Sequence, residues 1–279
     1  MSRRILMIVL LAALNLCAFA QGGFVLTGNS NDAKPAPAAA PVKKGPPGAK
    51  TQEELAAYTQ AVGSADLASF EKAEQDFETK YPESELRVLM LMNLVQRYYA
   101  QSQTAKVVEL GKRALAIEPD NPRVLALTAS AMIESSHATD VDLDEKINMA
   151  TKWCETAIKD IDTDPYINPN MPPEQVAAMK SSFTALSEGT MGYALFLKES
   201  WADAEKHLQT AIDKSNNSPD AITVLRLAIA QDKQKKYDVA LKNTDKAASL
   251  ARAGSRTASL AAEEKARLTQ LTGGQAAKP

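Results

Sequence analysis

Three carboxylates two apart, Asp140-Val141-Asp142-Leu143-Asp144, followed by Glu145, have the spacing with which a calcium-binding loop begins. Such a loop also needs a glycine at its sixth position and a bidentate glutamate at its twelfth, and these positions hold Glu145 and Thr151. The run reads instead as a helix start, with Asp142 as the cap and Glu145 closing a capping box where negative charge is favoured. Two histidines, His137 and His207, are the only imidazoles, and neither has a second ligand type one helical turn away on its own face. Both are expected in solvent. Cys154 lies midway between Ala150 and Ala157 on a helical pattern, where a buried structural thiol is expected rather than a reactive one. There is no glycine-rich phosphate loop, no Gly-x-Ser-x-Gly and no His-Glu-x-x-His. No catalytic, cofactor-binding or metal-binding residue is assigned, so a non-enzymatic role is expected.

The chain opens with Arg3 and Arg4, runs through an apolar stretch from Ile5 to Ala20 and ends that stretch on Ala18-Phe19-Ala20. A basic start, an apolar centre and a small-x-small site form the pattern of a secretory signal, predicted to be cleaved near Ala20. A helix of that stretch reaches about 24 Å, short of the roughly 30 Å apolar thickness of a bilayer. An uncleaved helix extended through Leu26 would instead anchor the chain to a membrane. Without residues 1–20 the 32 basic residues fall to 30 against 34 acidic ones, a net charge of −4. That balance offers no electrostatic reason for a nucleic-acid partner. One cysteine remains, so no internal disulfide can form and an apolar core must hold the fold.

Residues 21–50 are predicted to be a disordered linker. From Asn29 it carries Pro35, Pro37, Pro41, Pro46 and Pro47, and Lys34, Lys43, Lys44 and Lys50 outweigh Asp32. Helical patterning starts at Thr51-Gln-Glu-Glu54, which has the form of a capping box. It continues to Leu271 without a convincing strand, broken by short turns such as Tyr81-Pro82-Glu83-Ser84 and Glu118-Pro119-Asp120-Asn121-Pro122.

Small residues recur seven apart on successive helices: Ala150 and Ala157, Ala204 and Ala211, Ala240 and Ala247, and, with the first position enlarged, Val107 and Ala114. Positions seven apart share a helix face, so each pair forms a narrow stripe against which a preceding antiparallel helix can come close. Trp201 and Tyr237 open two of these helices and are suited to fill the wider end of the hairpin.

On these residues the sequence resembles the tetratricopeptide repeat family. Leu94, Tyr98, Ala114 and Pro119 match in one unit, where Val95 and Gly111 depart from the pattern. Ala129, Ala150, Cys154 and Ala157 match in the next, where Thr128 stands in place of Leu. Met191-Gly192, Trp201, Ala204, Leu208 and Ala211 match in a third, and Leu227-Ala228, Tyr237, Ala240 and Ala247 in a fourth. A degenerate unit from Thr51 to Pro82 precedes them. The resemblance implies an all-α solenoid of antiparallel helix hairpins wound as a right-handed superhelix over residues 51–250. A capping helix over 251–272, ended by Gly273-Gly274, and a disordered tail over 273–279 would come after it. From Ala114 to Ala157, Ala211 and Ala247 the intervals are 43, 54 and 36, against a family period of about 34. The excess falls near Ser135–Asp144 and Asp162–Pro172, the latter succeeded by a helix starting early near Pro173 or Glu174. Both insertions are expected on the rim of the stack, leaving its core intact.

The resemblance also implies that the first helices line a concave groove for a peptide or protein partner. Helical spacing puts Leu89, Met92, Gln96 and Tyr99 there, then Arg123, Ala126, Ser130 and Ile133, then Tyr193, Phe196, Ile222, Leu225 and Ile229. Some of the aliphatic ones are expected to be buried between helices. Tyr99, Arg123 and Tyr193 combine large area with a polar handle and are the best contact residues. The expectation is a scaffold or adaptor of the bacterial cell envelope, periplasmic or secreted, or held by an N-terminal anchor as an accessory subunit of an assembly or secretion complex. It needs no cofactor and no small-molecule substrate.

Overall fold

The computed structural model describes residues 47–275. The signal peptide or anchor at 1–20, most of the linker at 21–50 and the last residues of the tail lie outside them. Eleven α-helices and one short 3₁₀ turn succeed one another among the described residues. They are α1 (Gln52–Val62), α2 (Leu67–Lys80), α3 (Leu86–Ala100), α4 (Thr104–Ile117), α5 (Pro122–Glu134), α6 (Leu143–Asp160), α7 (Pro173–Leu197), α8 (Trp201–Asp213), α9 (Ala221–Lys233), α10 (Tyr237–Leu250) and α11 (Arg256–Gln275). Each helix packs on the next, and the first helices of successive hairpins also touch, α3 on α5, α5 on α7, α7 on α9 and α9 on α11. The molecule is therefore an α-solenoid of tetratricopeptide-like hairpins, in which each unit leans on its neighbours. No described helix is long and apolar enough to cross a membrane.

Local chemistry sets the helix starts. Thr51 Oγ1 accepts from the Glu54 amide at 3.1 Å, while the Glu54 carboxylate takes the Lys50 amide at 2.5 Å, so the returning arm of the expected box lands one residue early. Asp66 and Asn121 cap α2 and α5 in the same way, the latter with Pro122 at the first helical position. The box expected at Asp142 and Glu145 does not form. Asp142 makes no cap bond and instead pairs with Lys146 at 2.8 Å, which also holds Asp140 at 3.1 Å. Lysines thus take up three carboxylates of the acidic run that resembled a calcium loop, Lys146 the first two and Lys198 that of Asp144.

Three hairpins close identically without glycine. Ser102, Glu199 and Lys235 adopt φ of 57, 58 and 63°. The next amide in each case, Gln103, Ser200 or Lys236, donates five residues back to the carbonyl of Tyr98, Leu195 or Gln231. This is the Schellman closure that satisfies orphan carbonyls at a helix end.

The small-residue stripes are buried as expected: Val107, Ala114, Ala150, Ala157, Ala204, Ala211, Ala240 and Ala247 all lie in the core. At Gly192 a Cβ would stand 2.7 Å from Leu208 Cγ, so α7 and α8 touch through the missing side chain. Two departures from the repeat pattern explain each other. A Cβ on Gly111 of α4 would stand 2.0 Å from Thr128 Oγ1 of α5, so the β-branched residue where leucine is usual sits over a glycine where an aromatic is usual. Trp201 fills the hairpin end, edge-on to Phe196 at 5.1 Å.

The degenerate first unit is joined differently. Glu74 of α2, fully buried, takes Arg113 of α4 at 2.9 Å, and Arg113 also holds Glu78 at 2.6 Å. Burial raises the Glu74 carboxyl above its usual range, only partly offset by Arg113. Beside it Glu71 receives Lys106 at 2.6 Å and the Tyr98 hydroxyl at 2.5 Å. Burial pushes Glu71 up, but these hydrogen bonds together outweigh it and hold the carboxyl low.

At the other end α11 buries Ala261 and Leu268 against the stack, leaving Leu260 and Leu271 exposed. It continues through Gly273 and Gly274 to Gln275 rather than stopping at 272. Glycine weakens a helix by about 1 kcal/mol per residue but does not by itself end one.

Candidate partner-binding face

Five side chains on four first helices join into one patch. The Tyr99 hydroxyl of α3 lies 3.0 Å from Ser130 Oγ of α5. One turn on, Glu134 receives both terminal nitrogens of Arg226 from α9, at 2.8 and 3.1 Å. The same guanidinium stacks on the ring of Tyr193 from α7, 3.4 Å from its centre. Arg226 is mostly covered by these two contacts, whereas 42% of the Glu134 side chain remains accessible. Burial, more than the nearby Glu134 and Asp220 carboxylates, pushes the Tyr99 hydroxyl up, so it stays protonated and able to donate. Phe196, 6.2 Å from Tyr193 between ring centres, extends the patch toward Trp201, and Lys233 lies over the Trp201 ring at 5.8 Å. Ile222 and Ile229 of α9, on the same helix face as Arg226, stay half-buried against a cluster of Val224, Leu225, Ala247 and Ala261.

This patch contains the expected Tyr99, Ser130, Tyr193 and Phe196, with Glu134 and Arg226 added. The spacing that selected Ser130 also selects Glu134 four residues later, and Arg226 lies four after Ile222, so both were on the chosen faces. Leu89 and Gln96 of α3 are half-buried as well.

Six expected groove residues are closed off from a partner. Met92 is buried, with its sulfur accepting from Asn121 at 3.3 Å. Leu225, Ala126 and Ile133 are fully enclosed, and Ser130 is 4% exposed. Arg123, expected to meet a partner, is 3% exposed and donates through Nε to Asp164 at 2.5 Å. In fact all of α5 from Pro122 to Ile133 is buried.

The second insertion closes the start of this helix, while α6 and α7 enclose its other end. Rather than resting on the rim, it adds Ile161 and Tyr166 to the main core cluster, with Ile167 packed on it. Asp164 reaches Arg123, and the Tyr166 hydroxyl donates to Glu118 at the end of α4. Burial and the Glu118 bond together drive the Tyr166 hydroxyl far above its normal range. The early start of α7 at Pro173 is as expected, and its added turns bring Met179, Phe183 and Leu186 into the same cluster.

Among the described residues no three His, Cys, Asp or Glu side chains group as a metal set. Cys154 is fully buried, and burial pushes its thiol up to about 12, so the thiolate that nucleophilic chemistry requires is suppressed. His137 is exposed, but His207 is not simply solvated: its Nδ1 lies 2.7 Å from Glu188 of α7, which raises its pKa.

No family model and no curated protein matches the chain in sequence. Among solved structures, the apo form of RapI is 18% identical with a TM-score of 0.48, over 79% of this chain and 58% of that one. A tetratricopeptide repeat protein from Parabacteroides merdae is 15% identical with a TM-score of 0.30, over 78% of this chain and 98% of that one. The present chain thus spans little more than half the length of RapI. Likenesses this distant carry nothing about function, and the solenoid is read from the helix packing itself.

Proposed function

We propose that this chain is a non-catalytic scaffold that holds a protein or peptide partner on its inner face at α7 and α9, around Tyr193, Phe196 and Arg226, with Tyr99 and Glu134 at its edge. The observation that carries the reading is the convergence of two tyrosines, an arginine and a phenylalanine from three separate first helices. Aromatic and arginine side chains supply most of the energy at protein interfaces because they bury large area while keeping a polar group to satisfy. The accessible carboxylate of Glu134 and half-buried Ile222 and Ile229 add a polar edge to an apolar centre, the usual anatomy of an interface.

The test places a photo-crosslinking residue at Phe196 and, separately, at exposed Lys112 on the second-helix side. A partner trapped from position 196 alone, and lost when Arg226→Ala is added, supports the reading. Equal trapping from both positions contradicts it. The basic, apolar and small-residue pattern of residues 1–20 favours a location outside the cytoplasm, in the envelope of a bacterium. A mature start at Gln21 on N-terminal sequencing supports export with cleavage, and an intact N-terminus supports the anchored accessory subunit.

A further inference from the structure

The segment Ile161–Ile167 meets the repeats through buried side chains. Its first three residues form the 3₁₀ turn that follows α6; Asp164 and Tyr166 are buried, while Thr163 and Pro165 are exposed. Asp164 turns the chain on itself, its Oδ1 accepting from the Tyr166 amide at 2.9 Å and its carbonyl from the Ile167 amide at 3.4 Å, so the two inward side chains are presented from a tight turn. The two inward residues meet side chains of the repeats, Arg123 for the carboxylate and Glu118 for the phenol, and Asn121 steadies Glu118 from 3.0 Å. Ile161 and Ile167 flank them as apolar anchors. The outward side is held weakly. Asp162 meets Lys180 at 3.0 Å with 78% of its side chain accessible, and exposed pairs of this kind contribute little. Beyond Ile167 the turn from Asn168 to Met171 bonds only to itself among the described hydrogen bonds, through the amides of Asn170 and Met171. A buried arginine–carboxylate pair is poor evidence for a purely stabilising role, since apolar residues of the same size would hold the fold as well. The arrangement suits recognition of one particular sequence.

We infer that Ile161–Ile167 is an intramolecular ligand of the inner face, exchangeable for a partner segment that carries a carboxylate two residues ahead of a tyrosine, with aliphatic residues on either side. It rests on the inner face being the binding face, and it extends that face to α5. The partner's carboxylate takes Arg123 and its tyrosine takes Glu118. While the segment is seated this half of the face is closed, so binding there is slower and weaker than at α7 and α9.

The probe is a fluorescent peptide of residues 160–168, tracked by anisotropy against three full chains. They are the native protein, Asp164→Ala/Tyr166→Ala, and a chain with residues 162–170 replaced by a glycine–serine linker of equal length. The peptide is expected to bind at least one altered chain ten-fold or more tighter than the native protein. That gain should vanish when the peptide itself carries Asp164→Ala or when Arg123→Ala is added to the chain. Equal weak binding to folded native and altered chains overturns the inference. So does loss of helical circular dichroism in both altered chains, because an occupant whose removal unfolds the protein cannot be exchanged. Crosslinking from Phe196 reads the other half of the face, so its failure and the failure of peptide exchange are told apart.

Discussion

Helices α5 and α9 are both first helices of a hairpin and both 13 residues long, yet they meet the solvent differently. Every residue of α5 up to Ile133 is buried, while α9 leaves Ile222, Arg226 and Ile229 partly open on the same side. The difference lies in the stretch of chain after each hairpin. After the α5–α6 hairpin an insertion and an extended α7 fold inward over α5, and after the α9–α10 hairpin the chain passes directly to α11, whose Ala261 joins the cluster on which Ile222 and Ile229 pack while both stay partly open. An inserted loop in a repeat array can therefore convert a binding surface into interior, provided it brings its own anchors. Here these are Ile161, Asp164 and Tyr166.

The largest expected effect breaks the closed half. Arg123→Ala leaves Asp164 charged, buried and unpaired, and is expected to cost about 3–5 kcal/mol in chemical denaturation. Arg226→Ala, whose partner Glu134 can turn to water, should cost about 1 kcal/mol or less, so the ratio of the two measures how differently the halves are built. An effect between these two is expected where α4 meets α5. Gly111→Ala drives a methyl into Thr128 and should destabilise by about 1–3 kcal/mol. Most of that should return when Thr128→Ala is added, a coupling the double-mutant cycle reads directly.

Between α7 and α8, His207 pairs with Glu188. Its folded pKa is raised, so the pair's contribution is fully present below the unfolded value of about 6.5 and is lost as pH rises through the folded value. The stability gap between the native protein and His207→Gln should accordingly be widest near pH 5 and should close in mildly alkaline solution. A gap that widens with pH contradicts the assignment. At a turn the effect has the opposite sign: Lys235→Gly relieves a left-handed conformation and is expected to stabilise by about 1 kcal/mol, seen as a raised Tm.

The hairpin stack was legible because close packing leaves a trace in one dimension. Alanines seven apart and aromatics 36 apart can only mark equivalent helices, and each of those alanines is buried. The closure of α5 was harder to read, because Arg123 and Asp164 lie 41 residues apart and nothing local joins them. Two signals nevertheless existed. Between Val124 and Ile133 the helix is apolar almost all round, and a helix without a polar face is an interior helix. The insertion also holds Ile161, Tyr166 and Ile167, bulky apolar residues that a loop resting on a rim does not need. Repeat analogy assigned both to the wrong surroundings, since the pattern describes the shared units and is silent on what an insertion does. The patch at α7 and α9 was half legible: Tyr193 and Phe196 came from spacing, whereas Arg226 depends on which helices end up adjacent.

Hydroxyl-radical footprinting of the native protein, read residue by residue by mass spectrometry, compares the two halves without altering either. Chemistry is matched by pairing Phe183 with Phe196 on α7, and Tyr166 with Tyr193. With the inner face closed over α5 and open at α9, Phe196 and Tyr193 should oxidise several-fold faster than Phe183 and Tyr166. Equal rates within both pairs would contradict the closure of α5 and, with it, the division of the inner face into a sealed half and an open one.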